Sequence, residues 1–262
     1  MARMNSMPPD PVNGEPPPAS TSLLSRLFNI FVYPGEVFDE VKSTPHCVAN
    51  WLVPMVLACF VGVAFVVTMF STETLAHQVR EVQEKALQRK IDAGKIPKEQ
   101  AAQIKATMDR FMTPTLMIVM GSAGTVGTAV AWPFLAALIV WLLGKVAFQA
   151  SFSYLKALEV CGLASLIGVL NQVVRLLLAV SMGSIFVTPG PVLLVREFDA
   201  QNLWHLLAAA FSVLTIWQVG VISLGLARLS GSSWAKAAGW LYGLWAGVAF
   251  AFTWVSWAAS KL

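Results

Sequence analysis

The residues of this chain whose type and spacing could do chemistry are polar side chains set inside long apolar runs. Asn171 and Arg175 are four apart and share a helix face, with Gln172 beside them. Gln218 lies near the middle of the next apolar run, close to Thr215. An ionisable or amide side chain in a membrane helix is costly to bury and is a functional candidate by default. If the two runs are antiparallel neighbours, Asn171, Gln172, Arg175 and Gln218 form a polar patch that could bind a lipid headgroup or an anionic solute. A plainer reading competes. Arg175 lies toward the end of its run, near enough for the guanidinium to snorkel toward Glu197 or Asp199.

Other chemistry is poorly represented. No His-Glu-x-x-His, Cys-x-x-Cys, Walker-type loop or Gly-x-Ser-x-Gly occurs, and His46, His77 and His205 are scattered. No catalytic residue, metal ligand or cofactor is expected. Gly121-Ser122-Ala123-Gly124 resembles an intramembrane serine nucleophile, but small residues in membrane helices more often mean close packing. Cys47, Cys59 and Cys161 are odd in number and suggest no disulfide framework.

Composition sets the frame that must position these groups. Hydrophobic residues make up 56% of 262 and charged residues 12%, with a mean hydropathy of +0.66. A soluble domain carries about 25% charged residues, so half the charge needed for a globular surface is missing. The net charge of +4 forms no basic patch interleaved with aromatics, which argues against nucleic-acid binding. Of the 32 charges, 22 precede residue 114.

The order along the chain predicts an all-α membrane protein with five transmembrane helices. Residues 1–20 hold six prolines and read as a disordered tail. An apolar run that starts only after this stretch does not resemble a signal peptide. Residues 21–50 read as an amphipathic interfacial segment, with Leu23, Leu24, Leu27, Phe28 and Phe31 at helical spacing. The alternative is that this segment packs on the bundle itself. A membrane domain follows over residues 51–258, with spans near 51–70, 115–143, 157–183, 202–227 and 238–258. Arg175 reads as the one charge placed well inside a span.

Residues 71–113 interrupt the spans as a soluble αα-hairpin. Its stripes are Leu75, Val79, Val82 and Ala86, then Ala101, Ile104, Met108 and Phe111. Gly94 suits the position just after a helix and Pro97 the first turn of the next. Glu81/Lys85 and Lys105/Asp109 have stabilising i,i+4 spacing. The stripes are expected to seal against each other, or else to offer a partner surface. In the last span Gly239, Gly243, Gly247 and Ala251 recur every fourth residue, a small-residue ridge for close helix packing within the chain or between copies.

The layout resembles the bacterial branch of the Yip1-domain membrane proteins over about residues 23–258. Leu27-Phe28-Asn29-Ile30-Phe31, then Pro34 to Val41, is similar to that family's pre-membrane segment, and Trp51-Leu52-Val53-Pro54 opens the first span. Ala93 to Gln100 is similar to the hairpin turn, Gly144-Lys145 and Phe152 to Ala164 to the link into span three, and Leu214 to Gln218 with Lys236-Ala237-Ala238 to span four and its exit. The resemblance implies a five-helix bundle in a membrane, an N-terminus in the cytoplasm and no defined activity for bacterial members. A cytoplasmic N-terminus runs slightly against the Lys and Arg count, which is higher on the hairpin side. Eukaryotic members act with Rab-type GTPases, but their Asp-Leu-Tyr-Gly-Pro signature is absent, and Tyr33-Pro34-Gly35 matches it only distantly. GTPase binding is therefore not carried over.

The expectation is a non-enzymatic scaffold or adaptor in the bacterial cytoplasmic membrane, N-terminus cytoplasmic and C-terminus extracytoplasmic. Its partners would be the lipid bilayer and other membrane proteins, or a second copy through the last span. The alternative is a lipid- or small-solute-binding transport component working through the polar patch.

Overall fold

The computed structural model describes residues 21–111, 113–196, 198–199 and 201–261. The Pro-rich tail and Glu197 lie outside the described residues, as do the side chains of Met108 and Asp109. Among the described residues all regular structure is helical. Five helices are long and apolar enough to cross a membrane: α3 (Ala49–Ser71), α6 (Pro114–Val146), α7 (Tyr154–Met182), α9 (Val213–Ser230) and α10 (Trp234–Lys261). Two short helices, α1 (Leu23–Val32) and α2 (Pro34–Ser43), precede them. The hairpin is α4 (Glu73–Asp92) and α5 (Lys98–Phe111), and α8 (Leu203–Ala210) precedes α9.

The amphipathic N-terminal segment divides its apolar residues between two surroundings. Ser22 caps α1 by accepting from the Ser25 N–H, and Pro34 starts α2 where a missing N–H costs nothing. Ile30, Val37, Phe38 and Val41 are buried against Val160, Leu163 and Ile167 of α7 and Val221 and Leu229 of α9. Leu24, Phe28 and Val32, one turn apart, face outward. The segment therefore packs on the bundle with one face and keeps an apolar face of the kind that lies in a membrane interface. Arg228 of α9 pairs with Asp39 of α2 at 3.3 Å.

α7 is the central helix, and its run from Ala157 to Ile167 is buried throughout. Close helix approach depends on glycine here. A methyl group added at Gly162 would stand 2.4 Å from Cα of Trp51, so α3 and α7 cross almost backbone to backbone. One at Gly225 would stand 2.2 Å from Val160 on α7.

At the opposite end the hairpin is braced on the bundle. Leu75 and Val79 pack with Met69, Ala179 and Val187, not with the α5 stripe. Gln78 donates to the Gly183 carbonyl at 2.5 Å and accepts from the Ile185 N–H at 3.1 Å. Val82 and Phe111 are exposed, so the stripes do not close into one sealed seam. The turn has a defined geometry. Gly94 takes φ +69°, its N–H reaches the Ile91 carbonyl, and the Lys95 N–H reaches that of Lys90. Lys85 meets Glu81 at 2.6 Å and, by hydrogen bond and charge, holds its carboxyl below the ordinary value.

The fourth apolar run is divided, not continuous. α8 ends before Phe211 and α9 starts after Ser212. The chain at Gly190 passes so close that an added methyl group would sit 2.0 Å from the Phe211 carbonyl oxygen. The Val213 N–H is taken by the Pro189 carbonyl. The break therefore follows from a returning loop that claims the backbone bonds the helix would need.

Gly162→Val would force α3 away from α7. It should destabilise the bundle by about 1–3 kcal/mol, the usual cost of overpacking, read as a lower midpoint of thermal unfolding in lipid or detergent. The same substitution at Gly124, where an added methyl group meets nothing within 4 Å, should leave that midpoint nearly unchanged.

Candidate functional site

The four polar residues expected to form one patch are split among three places. Asn171 is used structurally: its Oδ1 accepts from the Ser212 hydroxyl at 2.8 Å, and its Nδ2 reaches Thr215 Oγ1 at 3.5 Å. It thus holds the start of α9 against α7, next to the break. Arg175, one turn further along α7, meets a different neighbour, its guanidinium 5.6 Å from the centre of the Phe65 ring on α3. Asp199, one expected partner, accepts from the Gln201 N–H in its own turn. Gln172 and Gln218 do come together, lining a cavity of about 350 Å³ between α3, α6, α7 and α9.

The ridge on α10 faces away from the chain. Ala237, Ala238 and Leu241 are buried, Trp245 packs edge-on against Phe211, and Trp257 donates to the Gln201 carbonyl. A methyl group added at Gly239, Gly243 or Gly247 meets no atom within 4 Å, and Ala251 is exposed. The buried Ser122 hydroxyl has no hydrogen-bond partner among the described residues.

The most deeply buried charge is one that the sequence reading passed over. Glu159 of α7 has 0% of its surface exposed. Its carboxylate is met from three directions. Asn50, at the start of α3, donates at 2.5 Å; His46, in the loop before it, lies at 3.0 Å; and Lys156, one turn back on α7, pairs at 3.1 Å. The Lys156 ammonium also donates to the carbonyls of Val41 at 2.5 Å and Thr44 at 2.8 Å, at the end of α2. Arg26 of α1 donates to Asn50 at 2.9 Å and stands 3.7 Å from Glu40, which also receives the Thr21 N–H and hydroxyl. One connected network thus ties α1, α2, the loop before α3, and α7. Charge-assisted bonds of this kind are roughly twice as strong as neutral ones.

The sequence carried a signal for it. Glu159 falls inside the third apolar run, where an acid needs explaining, and Lys156 precedes it by three residues. Glu159 lies near the start of that run, whereas Arg175 lies further inside it, so burial in the protein and depth in the span pick out different charges. Gly162 completes it, because the close crossing with Trp51 brings the neighbouring Asn50 amide onto the carboxylate.

Glu159→Leu would leave Lys156 and Asn50 facing an apolar wall. Breaking a buried pair by removing one partner costs about 3–5 kcal/mol. The expected result is a sharply lower unfolding midpoint, with α1 and α2 becoming open to trypsin at Arg26 and Lys42 before the spans unfold. Arg175→Leu, by contrast, should leave both readouts close to those of the unaltered protein.

Comparison with curated proteins gave no match, and neither did comparison with solved structures. The family model described as the Yip1 domain matches residues 28–255, from within α1 to near the end of α10. Membrane proteins of that family are generally non-enzymatic. Five spanning helices, a docked N-terminal helix pair and a match over most of the length lead to one assignment: the chain belongs to the Yip1 domain family.

Proposed function

We propose that this chain is a non-enzymatic scaffold or adaptor that holds other membrane proteins, or a second copy of itself, against its last span. The observation that carries the reading is the uncovered ridge of α10. One face of α10 is packed on α8 and α9, whereas Gly239, Gly243, Gly247 and Ala251 present backbone outward with none of the described residues over them. In lipid no hydrophobic drive joins helices, and small residues that admit a close backbone are what favour association. No side chain in the ridge can take or give a proton, which suits holding a partner better than chemistry.

The reading places the N-terminus in the cytoplasm of a bacterial cell and the C-terminus outside. Support comes from the network around Glu159, Lys156 and Arg26 and the Arg228–Asp39 pair. In a five-span bundle all of these sit at the end that carries the N-terminus.

Two experiments test it. Gly243→Ile with Gly247→Ile should cut co-purification of partners or of a differently tagged copy from native membranes by about tenfold, equivalent to 1.4 kcal/mol. The unfolding midpoint should not move, because both positions open on empty space. Unchanged association would remove the ridge from the interface. For orientation, reporter fusions after Ala150 and at the C-terminus should report opposite sides, cytoplasmic for the first.

A further inference from the structure

The cavity between α3, α6, α7 and α9 is a half-open, mainly apolar chamber with a few polar groups, halfway along the spans. Ser165, Gly168 and Gln172 lie near the middle of α7, Gly62 in the second half of α3, and Thr125 and Pro133 in the middle of α6. At about 350 Å³ it falls at the small end of ligand sites, room for a head and a few methylenes. No Asp, Glu, Lys or Arg lines it.

Part of its hydrogen-bonding capacity is unspent. The hydroxyls of Ser165 and Thr128 are returned to helix carbonyls, at 2.6 Å and 2.9 Å. The amides of Gln172 and Gln218 have no hydrogen-bond partner among the described residues. Pro133 lacks the N–H that would bond the Ala129 carbonyl one turn back, and both residues are in the wall. Two amides and a carbonyl left open at this depth cost free energy that a protein group or a ligand must offset. The wall also makes room for one of them. A methyl group on Gly168 would stand 3.1 Å from Oε1 of Gln218, so the bare backbone there lets the amide lie along α7. At the rim, Trp132 and Leu135 are exposed toward lipid, which gives a tail a way out.

We infer that this chamber binds the head of a neutral lipid bearing a hydroxyl group. A hydroxyl both donates and accepts, so one group can answer the Ala129 carbonyl and a glutamine amide together. The absence of lining charge disfavours a phosphate or carboxylate, whose desolvation nothing here would offset. Asn171 and Arg175 are not part of the site. This inference stands apart from the α10 ridge, and either can fail without the other.

A diacylglycerol and a polyprenol share the required chemistry and differ in tail. The full-length protein is reconstituted in phosphatidylcholine vesicles with one of three probes, each carrying a diazirine on its tail: a diacylglycerol, a polyprenol or a phosphatidylglycerol. Adducts are mapped by mass spectrometry. The diacylglycerol, the polyprenol or both should label Met55, Trp132 or Val169, and the unlabelled lipid should compete. Which of the two labels identifies the source. The phosphatidylglycerol should label these residues about tenfold less. Gln172→Leu with Gln218→Leu should lower labelling by the neutral probe about tenfold, the worth of a net buried hydrogen bond or slightly more. Arg175→Leu should not lower it. Equal labelling by the anionic lipid, no competition in the unaltered protein, or full labelling of the double variant would each overturn the inference.

Discussion

A carboxylate removed from water at the edge of a membrane bundle must be answered on every lone pair, and Glu159 is answered by groups from three segments of the chain. Desolvation of such a charge costs several kcal/mol, so the carboxylate is tolerable only while Asn50, His46 and Lys156 hold their positions. Each of those positions depends on something else. Asn50 is in reach because Gly162 lets α3 cross α7 at backbone distance, and Lys156 is fixed by two carbonyls at the end of α2. The network therefore cannot form unless α1 and α2 are seated, and their apolar face seats them against α7 and α9.

This constraint gives the molecule two unlike ends. Near Glu159 the helices are locked by charge, by buried aliphatic contacts and by the Arg228–Asp39 pair. Toward the hairpin the fit is looser. α4 is held by Gln78 and Leu75, Arg175 rests on an aromatic ring, and the fourth apolar run breaks at Phe211–Ser212. Between the ends lies the uncharged chamber of Gln172 and Gln218. A locked end, an open middle and a bare helix ridge are the features on which the proposed holding role rests.

Much of this architecture could be read from residue order. The five spans follow from apolar runs of sufficient length, and the hairpin turn from Gly94, which takes a left-handed conformation there. The resemblance to Yip1-domain proteins rests on the order of the segments over residues 23–258, and the family match covers nearly the same stretch, residues 28–255. What could not be read depends on contacts distant in sequence. Glu159 stands two residues inside the expected start of its span, where a charge can equally reach water; only the approach of Asn50 and His46, more than a hundred residues away, makes it buried. Likewise Asn171 and Arg175 share a helix face in projection, yet Ser212 takes one and Phe65 the other. The leucine and phenylalanine stripe of α1 is split for the same reason: periodicity shows that residues share a side, not what covers it.

The central claim is that the N-terminal helices are part of the bundle and not a loosely attached arm. Amide hydrogen exchange of the protein in lipid vesicles, followed by mass spectrometry, tests it directly. If the claim holds, amides of Leu27–Phe31 and Val37–Val41 exchange as slowly as those of the buried stretch of α7, from Val160 to Ile167. Exchange of Leu23–Ser43 at the rate of an unstructured peptide, with α7 still protected, would contradict it.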